Sequence, residues 1–342
     1  MGQPNELLRT AREYRHWTQA QVAEMIECPQ SVAISRWENG ITFPSRHYRE
    51  RLCKLYGKTA RELGLEQSSA GVDAPPVFLF NEPLADPQEL YGRRREKETV
   101  LARTAHKAST SITGPRRIGK TWLLRYLRLI GPERLGTRFS IGYLDGMSPQ
   151  CKTVAGFVAE ACTTFGLPLP QINEGLLSLD KGLRQLMAKK LVPVLCIDEF
   201  DSFSSSEEFT LDFFAGLRAM THTSDLVLVI ASKNPLHLVV RKSVSGSPFF
   251  NIFERLALKP FTYTEAEHFI QDKSTSASFE PDERDYLWTF GKEHEDEKAW
   301  APLRLQLAGK ILCEELDDVR KNPHYRQSFV ERFQMLYEAV MD

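Results

Sequence analysis

One octapeptide constrains this chain more than any other stretch: Gly114-Pro115-Arg116-Arg117-Ile118-Gly119-Lys120-Thr121 fits G-x-x-x-x-G-K-[ST] without a mismatch. A strand candidate, Ser111–Thr113, precedes it, and an apolar helix opens on Lys120 with Trp122, Leu123, Leu124 and Leu127. Strand, glycine loop and helix in that order let backbone N–H groups at a helix N-terminus close around phosphate oxygens, where the helix dipole favours negative charge. Lys120 adds a point charge for the β- and γ-phosphates, and Thr121 offers a hydroxyl ligand for Mg²⁺. The eight loop residues, with Trp122 beside them, are the candidate nucleotide contacts.

A second signal supports the first. Val194-Leu-Cys-Ile-Asp198-Glu199 is an apolar strand ending in two acids. Asp198 suits the Mg²⁺ environment, and Glu199 can orient a water for in-line attack on the γ-phosphate. No [NT]-K-x-D tetrapeptide, which reads guanine, occurs in the chain. That absence tilts the base from guanine toward adenine without settling it, and the expected cofactors are ATP or ADP with Mg²⁺.

The rest of the chain fits around these motifs. Further strand candidates are Phe139–Leu144, Val192–Ile197 and Leu226–Ala231, with helices at Lys120–Leu129, Val154–Thr164, Leu176–Lys189 and Glu207–Met220. Strands alternating with helices predict a mostly parallel sheet covered on both faces, an α/β fold. Before it, residues 1–66 read as five short helices, with Thr18 capping the second and Thr59 opening the last, and with Tyr14, Trp37 and Leu52 expected in the core. The expected organisation is a helical domain at 1–66, a Pro-punctuated linker at 67–89, the phosphate-loop domain at 90–260 and a helical lid at 261–342.

Charge separates these segments. Residues 1–66 hold 10 Lys/Arg against 8 Asp/Glu, and residues 261–342 hold 10 against 18, so the last segment is a poor nucleic-acid surface. Apolar content of 42% and charged content of 26% exclude wholesale disorder and a fibrous repeat. The six cysteines show no metal spacing, the apolar runs are too short to span a bilayer, and the start shows no apolar leader. The expectation is a cytoplasmic chain with reduced thiols and no membrane partner.

Gly92-Arg93-Arg-Arg-Glu96, the Arg-rich loop and Ile197-Asp-Glu-Phe200 together resemble STAND-type and archaeal-type signalling ATPases, which are AAA-like P-loop proteins of the ASCE class. Val229–Lys233, Pro248–Phe253 and Leu258–Ala266 agree with them. The resemblance implies that Gly92 and Arg93 border the nucleotide, that Lys233 senses the γ-phosphate, and that Pro302 of the lid meets the adenine. Arg255 has two readings, a finger acting in trans and a structural arginine.

The first segment resembles the XRE-type, phage-repressor-like helix-turn-helix through Thr18-Gln19, Ile34-Ser-Arg-Trp37-Glu-Asn-Gly40 and Pro44-Ser45. That likeness implies a third helix in the major groove of double-stranded DNA, with Gln30, Ser31, Val32, Ser35 and Arg36 facing bases and Gln19 and Arg46 on phosphates. Arg36 is the best base reader, because its fork matches guanine O6 and N7. The turn Glu27-Cys28-Pro29-Gln30 is one residue longer than usual, and the same fold also serves protein contacts. Three functions are compatible with this layout. One is a nucleotide switch whose ATP-driven self-association controls DNA binding, with sensing in the lid or in a separate sensor or effector protein. The others are a DNA-remodelling or target-selecting ATPase of a mobile element, and a protein-interaction scaffold with a structural ATP site.

Overall fold

A computed structural model describes residues 5–26, 28, 32–39, 44, 46–65, 76–170, 175–239, 248–294, 298–321 and 325–341. The chain divides into two compact units, Met1–Pro76 and Val77–Asp342.

The first unit contains α1 (Glu6–Tyr14), α2 (Gln19–Met25), α3 (Val32–Glu38) and α4 (Arg46–Tyr56). Asn5 accepts the Leu8 N–H to cap α1, and Thr18 and Gln21 form a reciprocal capping box on α2. Leu8, Val22, Ile26, Ile34, Trp37, Leu52 and Leu63 make the core. Tyr14, expected in that core, is 83% exposed. The buried positions of α1 are Leu8 and Ala11, and Tyr14 is the last residue of the helix, where its hydroxyl stays in water. The expected fifth helix is instead a turn. Glu62 accepts both the N–H and the hydroxyl of Thr59, and Gly64 at φ +61° stops any continuation.

The second unit begins its sheet domain with α5 (Arg94–Ala105), β1 (Ser109–Thr113), α6 (Lys120–Arg134), β2 (Phe139–Asp145), α7 (Val154–Thr164) and α8 (Leu176–Ala188). It continues with β3 (Val192–Asp198), α9 (Leu211–Thr223), β4 (Val227–Ser232), α10 (Leu236–Val239) and β5 (Phe253–Ala257). The strands form one sheet in the order β2-β3-β4-β1-β5, and every pair is parallel. Along β3, Val194 and Cys196 pack toward α5 and α6, while Leu195 and Ile197 pack toward α7, α8 and α9. Full burial of each such side chain contributes about 1.5–3 kcal/mol, so β3 is held from both faces.

β5 is an addition to the four strands that the apolar pattern predicts. It is an edge strand whose Glu254 and Arg255 are exposed, so it lacks the two-faced apolar run that marked the others. Arg255 Nε donates to Thr113 Oγ1 at 3.0 Å, which ties β5 to β1. That contact favours the structural reading of Arg255.

Among the described residues, four helices complete the unit: α11 (Tyr263–Ala277), α12 (Pro281–Phe290), α13 (Pro302–Lys321) and α14 (Tyr325–Met341). They enclose a separate core containing Phe269, Leu287, Leu305, Ile311, Phe329 and Phe333. Phe78 enters this core at 3% exposure, and Gly309 makes room for it, since a Cβ there would lie 2.1 Å from the Phe78 ring. Leu84 joins the sheet core. The second half of the stretch expected as linker is therefore packed into the second unit. Among the described residues, no helix is long and apolar enough to cross a membrane.

Candidate functional site

β4 lies between β1 and β3, so with neighbouring strands about 4.8 Å apart the carboxyl ends of β1 and β3 stand roughly 10 Å from one another. Open α/β sheets bind ligands outside these ends. From β1 the chain enters the glycine loop, where Arg117 at φ +62° and Gly119 at φ +102° turn the backbone into α6. The first N–H groups of α6 have no intrahelical acceptors and point out of the helix start.

Arg93, Arg116, Arg117, Ile118, Gly119, Lys120, Thr121, Trp122, Glu199 and Pro302 line one cavity of about 900 Å³. The Lys120 ammonium is buried and donates to the carbonyls of Gly114 at 3.0 Å and Pro115 at 2.9 Å. Desolvation lowers its pKa, while Glu199, Asp198 and Asp201 oppose that shift. Glu199, the residue after β3, is left-handed at φ +46°, one of the uncommon non-glycine backbones that cluster at functional sites. Burial first, then Asp198, raises its carboxyl above the usual range. Asp198 itself is 3% exposed behind it. Its Oδ2 accepts the Tyr143 hydroxyl at 3.0 Å, and its Oδ1 accepts the Glu199 N–H at 3.0 Å.

Other candidates are placed differently. Gly92 and Arg93 are both left-handed, and a Cβ on Gly92 would lie 2.7 Å from Glu265 Oε1. The Arg93 guanidinium, 3% exposed, donates to the Ile118 carbonyl at 2.9 Å and to the Lys259 carbonyl, and it lies over the Phe261 ring. Arg93 thus borders the cavity while holding the loop to the lid. Lys233 is exposed just beyond β4 and does not line the cavity, and its N–H donates to Asp201.

Several lining residues escaped the sequence reading. Leu79, Asn81, Glu82 and Pro83 cross the cavity as a strap: Arg117 donates to Asn81 Oδ1 at 3.2 Å, and the Trp122 indole to the Glu82 carbonyl at 3.1 Å. Gln306, one turn after Pro302, accepts the Leu79 N–H at 2.8 Å. Ala339 and Val340 close another side, and Arg116 reaches the Met341 carbonyl at 3.3 Å. In the sequence the strap shows locally as the apolar run Val77-Phe-Leu-Phe80.

In the first unit Ser35 lies on α3, and Val32 and Arg46 open α3 and α4. Gln30 and Ser31, and the side chains of Val32, Arg36 and Arg46, fall outside the described residues. Gln19 does not present a free amide. Its Nε2 donates to Glu38 Oε2 at 2.8 Å, beside the Arg12 guanidinium, which meets Glu38 at 2.6 and 2.9 Å.

Comparison with known families agrees with this layout. Residues 6–64 match the helix-turn-helix domain family, and residues 103–239 match the AAA domain family. The chain joins an N-terminal helix-turn-helix domain to a P-loop ATPase domain of the AAA kind. Among solved structures it is similar to the ORC2 protein of Aeropyrum pernix in ADPNP–ADP complexes, at 16% identity and TM-score 0.54, covering 66% of this chain and 64% of that one. It is also similar to a Walker-type ATPase of Pyrococcus abyssi, at 14% identity and TM-score 0.55 over 76% of each chain. A third is the Aeropyrum pernix ORC1 protein in complex with DNA, at 17% identity and TM-score 0.50, covering 73% and 66%. The chain thus spans just under two thirds of the ORC2 and ORC1 chains, and identities this low show a shared fold. No curated protein is similar enough in sequence to count as a relative.

Proposed function

We propose that this protein is an ATP-dependent DNA-binding ATPase, in which the nucleotide state of the second unit controls self-association and duplex binding by the helix-turn-helix unit. The observation that carries this reading is the single cavity that gathers Lys120, Thr121, Glu199 and Pro302 from the loop, the acidic strand end and the lid. Thr121 and Asp198 are the groups that would hold Mg²⁺, and both offer the hard oxygen donors it takes. Among the described residues no cluster of three or more His, Cys, Asp or Glu could hold a metal alone, so the site suits a cation that arrives with phosphate oxygens. When bound, Mg²⁺ neutralises charge that develops on those oxygens. Lys120 supplies the fixed positive charge. Glu199, with its raised carboxyl, orients the attacking water and draws its proton. Arg93 and Gln306 hold loop, strap and lid together around the cavity.

The test has two arms. Mg-ATP should raise the melting temperature of the wild type, and Lys120→Ala should abolish the rise; an equal rise in the mutant refutes the loop assignment. Duplex DNA is then titrated with Mg-ATP, Mg-ADP or no nucleotide. Affinity and stoichiometry should depend on the nucleotide, and identical curves in all three defeat the switch. Glu199→Gln should keep the melting rise and lose turnover, measured as phosphate release. Wild-type turnover in that variant would leave Glu199 with a capping role only.

A further inference from the structure

Tyr143 stands on β2 in register with Cys196 of β3, two residues before Asp198. A long aromatic reaches such a diagonal neighbour on the adjacent strand. The phenol donates to Asp198 Oδ2 at 3.0 Å while the Glu199 N–H occupies Oδ1, so the carboxylate is gripped at both oxygens. At 3% exposure, rotating it would break a bond that water cannot replace. Each oxygen still has a second lone pair to offer. On its other side the Tyr143 ring meets Arg125, whose Cζ lies 5.3 Å from the ring centroid. Arg125 is one turn beyond Thr121 on α6 and lines the cavity. A cation over the ring fixes the ring's position. A packed path therefore runs from the helix that carries Thr121, through Arg125 and Tyr143, to Asp198.

We propose that Tyr143 is a positioning residue, whose hydroxyl holds the Asp198 carboxylate in one orientation for the Mg²⁺ that accompanies the nucleotide. The inference rests on the reading of the cavity as a Mg-nucleotide site. Nothing in the octapeptide or in the acidic pair calls for this hydroxyl; only the strand register brings it there.

Tyr143→Phe removes one oxygen and keeps the ring, its packing and the Arg125 contact. Binding of ADP is measured by calorimetry in EDTA and across a Mg²⁺ titration, with melting of the free protein alongside. The expected result is unchanged affinity in EDTA, with melting lowered modestly by the lost hydrogen bond and the half-saturating Mg²⁺ concentration raised about 10-fold. Arg125→Gln should shift it in the same direction by less. A Mg²⁺ midpoint equal to that of the wild type overturns the inference while leaving the nucleotide reading intact. Should Tyr143→Phe fail to fold, the midpoint of Arg125→Gln decides in its place, an unchanged value again counting against the proposal. A wild type that binds ADP under neither condition overturns both readings.

Discussion

Arg93 spends its guanidinium on the chain itself. A cation so buried needs hydrogen-bonded partners, and it finds them in the carbonyls of Ile118 and Lys259, with Glu96 at 3.8 Å. The Gly92-Arg93 pair was legible as important through its resemblance, yet its partners lie 25 and 166 residues away in sequence, and no local pattern could name them. Gln19 shows the same limit in the other unit. At the start of α2 it fits a phosphate contact, but the sequence does not reveal that the buried Glu38, 1% exposed, needs its amide. Gln19→Ala should therefore lower the stability of the first unit by about 1–2 kcal/mol and leave the salt dependence of duplex binding unchanged. A salt slope flatter by about one unit would put Gln19 on a phosphate instead.

At the scale of elements, contiguity decided what the sequence revealed. Loop and acidic strand end are short, unbroken runs whose chemistry depends on neighbours in the chain. β5 and the strap depend on distant partners, and one looks polar while the other hides among prolines. The helix expected at Glu207–Met220 starts at Leu211, behind Thr210, because Phe209 is drawn into the aromatic cluster of Phe157, Phe203 and Phe213. In the lid, α12 and α13 are joined by Glu283, which Arg320 grips at 2.6 and 3.1 Å and which also accepts the Glu280 N–H. Burial pushes the Glu283 carboxyl up, but Arg320 and that N–H outweigh it and hold the group below its usual 4.5. The unfolded chain then binds the proton first as pH falls, so this contribution is full above about pH 4.5 and is lost as pH falls through the lower, folded value. Melting of the wild type should drop more steeply below that point than melting of Glu283→Gln, each followed by circular dichroism.

The molecule as a whole is two separately cored units on one chain. Calorimetry should resolve two transitions, and Mg-ATP, by binding only the folded second unit, should raise one of them directly by mass action. If the units are coupled, duplex DNA raises both, and the factor by which it tightens ATP binding equals the factor by which ATP tightens DNA binding. A duplex that moves the first transition alone would mean that the two halves act independently. Sequence patterning foresaw two kinds of domain. It did not foresee that Leu79, Asn81, Glu82 and Pro83, from the first described stretch after the helix-turn-helix unit, line the cavity proposed for the nucleotide.

Because the Lys120 ammonium already rests on the Gly114 and Pro115 carbonyls, a ligand arrives at this loop as a competitor. Two of the ammonium's three protons are already taken, so a phosphate that draws Lys120 fully to itself costs two hydrogen bonds within the protein. On the proposed nucleotide reading, that exchange favours a ligand whose further phosphate oxygens also reach the N–H groups at the start of α6. Di- and triphosphates are then expected to bind more tightly than monophosphates, a ranking that calorimetry with AMP, ADP and ATP would check.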